Sequence, residues 1–244
     1  MSRSEPKREA SFERSPLGRG DLAASLLYIF PLFLFYQVGV TFTSTVNGAD
    51  FVTRAVYSLA AGDRETYLAI HLAIAVCFLG LVLFLRHRRG LKLGDALPML
   101  LESAIYALTL GSLIIVIMDK ALGLSLWTED LAIGAKMEPF VASMGAGVYE
   151  ELVFRLGLFA GLAMVVRALG VRMVLALLFA AIVSSAMFSY AHHIGPMGEP
   201  FATRVFVYRA LAGLAFTAIF YFRLLAHAVY AHFLYDVYVL VIYP

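Results

Sequence analysis

Apolar runs of about 18 residues or more recur along this chain, and they set what it can fold into. They cover about 22–42, 66–85, 97–118, 139–168, 172–190, 205–222 and 224–242. In lipid, every backbone N–H and C=O must be satisfied within its own segment or in a closed barrel. Barrel strands alternate apolar and polar side chains over about ten residues; these runs are continuous. The expected fold is therefore all-α, a polytopic transmembrane helical bundle of seven spans. An eighth span arises if the long fourth run breaks at Gly145-Ala146-Gly147. Composition agrees: 61% of the 244 residues are hydrophobic and 15% charged, against about 45–50% and about 25% in soluble domains.

The polar stretches fall between the runs. Residues 1–20, rich in Arg, Lys, Glu and Ser, read as a flexible cytoplasmic tail, and residues 21–244 as one membrane domain. The first run is too long for a signal-peptide core and reads as an uncleaved helix, with Pro31 as a kink. Residues 43–65 form a polar loop with a short interfacial helix near 51–60, and Trp127 is placed as an interfacial anchor. Basic residues favour the tail, the loop at Arg86, Arg88, Arg89 and Lys92, and the loop between Arg167 and Arg172. That asymmetry predicts a cytoplasmic N-terminus, and the short, multi-spanning build suits a bacterial inner membrane, with an internal eukaryotic membrane the alternative. Neither an internal repeat nor a low-complexity segment is apparent, which gives an inverted-repeat transporter no support. The single cysteine, Cys77, excludes an internal disulfide and a cysteine metal cluster, and it reads as a small buried hydrophobe.

Against this background a few polar residues stand out. Glu150, Glu151 and Arg155 lie mid-run, where each such charge costs roughly 2.5–3.5 kcal/mol and normally faces a protein interior or a wet cavity. Glu151 and Arg155, four apart, share a helix face and can pair. Glu150 lies about 100° round the helix and points to another wall. Phe188 and His192 share a face near the end of the fifth run; His232 and Asp236 share one in the last. His193 belongs to the loop, and His227 falls off the His232 face, in packing or support. A carboxylate with two imidazoles can activate water and stabilise an oxyanion. The same residues could also hold zinc, and paired histidines could ligate haem. A bland reading stands beside these, in which the cluster only locks helices together in an immunity or scaffold protein.

Glu150-Glu151-x-x-x-Arg155, Phe188-x-x-x-His192 and His232-x-x-x-Asp236, in this order on successive membrane helices, resemble the CPBP family of CAAX proteases and bacteriocin-processing membrane proteins. The resemblance covers about residues 139–243. It implies a glutamate-type intramembrane endopeptidase acting on a protein or peptide at the lipid bilayer, with no cofactor and no nucleic-acid partner. By residue, it implies that Glu150 activates the hydrolytic water and His192 helps position it. His232 would stabilise the oxyanion, with Asp236 as its polar helper, and Glu151 and Arg155 would form a supporting pair beside Phe188. The chain departs from the eukaryotic enzymes at Asp236, where they carry Asn. An ionised Asp cannot donate to an oxyanion; either Asp236 is protonated or it orients His232, and orientation is the favoured reading.

Overall fold

The computed structural model describes residues 22–43, 47–89, 93–124, 137–194 and 198–242. The expected tail at 1–20 and the Trp127 anchor lie outside the described residues. The helices are α1 (Leu22–Gly39), α2 (Phe51–Leu59), α3 (Arg64–Arg89), α4 (Ala96–Val116), α5 (Met137–Gly145), α6 (Ala160–Ala168), α7 (Met173–Ala191), α8 (Thr203–Phe222) and α9 (Leu225–Val237). Wide i→i+5 turns extend α4 over Ile117–Ala121, join α5 to α6 over Ala146–Phe159, and extend α9 over Tyr238–Ile242. Among the described residues there is no strand.

Among the described residues, six helical stretches are long and apolar enough to cross a membrane: Leu22–Gly39, Arg64–Leu81, Ala96–Ala121, Met173–Ala191, Thr203–Phe222 and Leu225–Ile242. They coincide with six of the expected seven runs. The seventh is the helical stretch 137–168, which stays continuous but changes pitch at Ala146. Gly145-Ala146-Gly147 therefore widens the helix and does not break it, so no eighth span arises there.

Local signals set the joints. Asp50 accepts from the Thr53 backbone N–H at 2.8 Å and caps α2. A turn with positive φ at Ala61 (50°) and Gly62 (78°) leads into α3, where the Asp63 carboxylate accepts from the Thr66 N–H at 2.7 Å. The Thr66 hydroxyl, with its backbone N–H, holds the Asp63 carboxyl below its usual range. Gly170, at φ 89°, ends α6 in the left-handed conformation glycine favours.

The helices carrying the polar motifs pack in the middle of the bundle. α9 contacts α1, α4, α5, α8 and the wide segment, while α7 packs on α8 and on that segment. α3 lies at the edge, and Cys77 on it is exposed. The expectation of a buried Cys77 is thereby corrected: an apolar residue on a peripheral membrane helix is satisfied by lipid and needs no protein core.

Candidate active site

Every residue from Ala146 to Glu151 is buried, as is Arg155. Two glycines let this stretch into the bundle centre. A Cβ on Gly147 would stand 2.8 Å from the Val229 carbonyl oxygen and 2.9 Å from Phe233 Cβ, so the bare backbone lets α9 lie against it. At Gly145 a Cβ would strike the Tyr36 ring and come within 3.1 Å of Asn47 Cβ. The wide turn then spans the whole motif, and the Ala160 N–H reaches back five residues to the Arg155 carbonyl. Such i→i+5 segments are rare and occur frequently at functional sites.

The motif residues named from sequence converge. Arg155 Nη1 lies 3.0 Å from Glu151 Oε1, with side-chain exposures of 1% and 0%. A pair this deep offsets its desolvation only if its remaining polar edges are also held. The Arg155 guanidinium stacks over Phe188 at 4.3 Å and over Phe216 at 5.4 Å from the ring centroids, and its Nη2 donates to the Gly213 carbonyl at 3.4 Å.

Glu151 has a second partner. Its Oε1 lies 2.7 Å from His232 Nδ1, and the imidazole stacks on Phe216 with 4.6 Å between centroids and 18° between planes. The link between Glu151 and His232 is absent from the sequence reading, because 81 residues separate the two. Glu151 and Asp236 face opposite nitrogens of this ring. Glu151 holds Nδ1, while Asp236 Oδ2 lies 3.6 Å from the opposite nitrogen, Nε2. Since Nδ1 donates to Glu151, Nε2 can donate to a third group only when the ring carries both protons.

Glu150 faces the other wall, as its helical position predicts. Its Oε2 lies 3.6 Å from His192 Nε2 and 4.0 Å from His232 Nε2. This Oε2 atom makes no hydrogen bond to any described residue. His192 is oriented through Nδ1, 2.8 Å from the Phe188 carbonyl, with its ring edge-on to Phe188. The following loop is fixed to the same place. The Glu199 N–H donates to the His192 carbonyl at 2.9 Å. Arg209 of α8 grips the Glu199 carboxylate with both nitrogens at 2.8 and 2.9 Å, which holds that carboxyl below its usual range.

Asn47 was missed from sequence. Its Nδ2 donates to Glu150 Oε1 at 2.9 Å from the loop between α1 and α2. The only sequence signal was Asn47-Gly48, which reads as a turn. His227 takes no part in this cluster. Its Nε2 lies 3.4 Å from Glu102 Oε2, in a separate group with Arg223 at the other end of α9.

With this geometry in view, comparison adds one match. Residues 136–238 fit the family model for type II CAAX prenyl endopeptidases, Rce1-like. Over that stretch the chain is similar to this family. The CPBP resemblance carried by the three motifs thus holds, and the match supports a CAAX-type intramembrane protease embedded by several apolar helices. A protease of this family implies a peptide or protein substrate at the membrane. No curated protein and no solved structure matches the chain. The Rce1-like segment contains every motif residue named above, but it excludes Asn47.

Proposed function

We propose that this protein is a glutamate-type intramembrane endopeptidase that hydrolyses a peptide bond in a membrane-associated protein or peptide. The observation that carries the reading is the free oxygen of Glu150, facing His192 Nε2 at 3.6 Å and His232 Nε2 at 4.0 Å in a buried setting. Polar groups at such separations are commonly bridged by water. A water held by Glu150 Oε2 and His192 Nε2 loses a proton to Glu150 as it attacks the substrate carbonyl carbon. Doubly protonated His232, held by Glu151, donates from Nε2 to the oxyanion that develops. The proton on Glu150 then passes to the departing amine as the C–N bond breaks. Arg155 holds Glu151 in place. Asp236, on the Nε2 edge of His232, supports the protonated imidazole and does not itself contact the oxyanion.

The mechanism runs without a metal, because Glu150 does the work a zinc ion would otherwise do on the water. Among the described residues, no group of three or more His, Cys, Asp or Glu side chains is arranged to hold a metal ion. Activity that survives a strong chelator supports the mechanism; loss restored by stoichiometric zinc contradicts it.

We further propose, from the basic-residue asymmetry, that the N-terminus is cytoplasmic. The test of the function compares protein termini in membranes from cells carrying the wild-type chain with those from cells carrying Glu150→Ala or His192→Ala. Substrate termini present only with wild type are expected. Identical termini with either folded variant would refute the proposal.

A further inference from the structure

The contact between Asn47 and Glu150 enters from outside the Rce1-like segment, and its geometry fixes which way the amide faces. Asn47 Oδ1 accepts from the Ala49 N–H at 2.8 Å, so the NH2 group is the end that meets Glu150 Oε1 at 2.9 Å. The Asn47 backbone N–H donates to the Tyr36 hydroxyl at 3.1 Å. Tyr36 is fully buried and packs edge-on to Tyr149 with 5.5 Å between centroids. The space for Tyr36 and Asn47 exists because residue 145 has no side chain.

A buried polar network stands behind this contact. Gln37 donates to the Tyr149 hydroxyl at 2.6 Å and accepts from Thr53 Oγ1 at 2.9 Å and from the Tyr67 hydroxyl. Thr53 in turn donates its backbone N–H to Asp50. Helices α1, α2 and α3 are thereby tied to the residue preceding Glu150, and the Asn47 loop is tied to them.

We infer that Asn47 is a positioning residue for Glu150. Its amide occupies Oε1 and so reserves Oε2 for the water it shares with His192. A carboxylate free to turn about its last bond would present either oxygen at many angles. One held by a fixed donor presents a single oxygen in a single direction, and misplacement by about 1 Å can cost about 100-fold in rate. The first three helices thus complete a site whose reacting groups all lie further along the chain. This inference rests on Glu150 being the base.

The test uses a peptide spanning a cleavage site identified by the terminus comparison, with purified full-length protein in detergent. Asn47→Asp keeps the acceptor for Ala49 and the backbone donor for Tyr36, so the turn survives, but it sets an oxygen against Glu150. Expected is a fall of about 100-fold in kcat with KM changed by less than about threefold. Gly145→Ala, which displaces Tyr36 and Asn47 without altering a polar group, should move kcat the same way. If Asn47→Asp fails to fold, Asn47→Ala is read on the same scale. Wild-type kcat in a folded Asn47 variant, with Glu150→Gln inactive, overturns the role of Asn47 and leaves the protease reading standing. Cleavage unchanged by Glu150→Gln removes the protease reading, and this inference with it.

Discussion

Placing three charges in a membrane core is tolerable when each has a partner, and the partners here are specific. Arg155 is held by Glu151, by the faces of Phe188 and Phe216, and by the Gly213 carbonyl. Removing it leaves Glu151 buried with only His232 beside it. Arg155→Met should therefore destabilise the protein by about 3–5 kcal/mol, the usual cost of breaking a buried pair from one side. Thermal unfolding in detergent checks this, and an unchanged midpoint would show the pair to be dispensable. The pair was legible in the sequence because both members sit on one helix, four apart. The bond from Glu151 to His232 and the bond from Asn47 to Glu150 were not. They join residues 81 and 103 positions apart, and local periodicity says nothing about such distances.

The helices themselves were legible to within a few residues, since lipid imposes length and apolarity on every span. The i→i+5 pitch of Ala146–Phe159 was not, because it leaves no distinct apolar rhythm in a segment that is buried throughout its first turn. The two glycines flanking its first residue were the only hint, and they read equally well as a break. Their role is close approach: Gly147 lets α9 lie against the segment and brings His232 to Glu151. Gly147→Ala puts a methyl group into the Val229 carbonyl and Phe233. Overpacking of this kind costs about 1–3 kcal/mol. A lowered unfolding midpoint together with reduced cleavage is expected; a variant as stable and active as wild type would contradict close packing here. The exposure of Cys77 belongs to the same scale. Hydropathy locates a span, while its neighbours decide which side meets lipid.

At the scale of the molecule, the site lies toward one end of the bundle. The Asn47 loop and the C-terminal end of α7 both reach Glu150, and α6 runs away from it to the turn at Leu169 and Gly170. With a cytoplasmic N-terminus, the Asn47 end faces outward. This is testable in a Cys77→Ser background. A membrane-impermeant maleimide should label Glu65→Cys in intact cells and leave Leu169→Cys unlabelled until the membrane is opened; the reverse pattern inverts the proposed orientation. The central claim is that Glu150 activates the water. Its most direct test is the turnover of purified Glu150→Gln on a cleavable peptide, since Gln preserves size and the acceptor for Asn47. A loss of about 1,000-fold or more with an unchanged unfolding midpoint is predicted. Turnover within a few-fold of wild type would contradict the account.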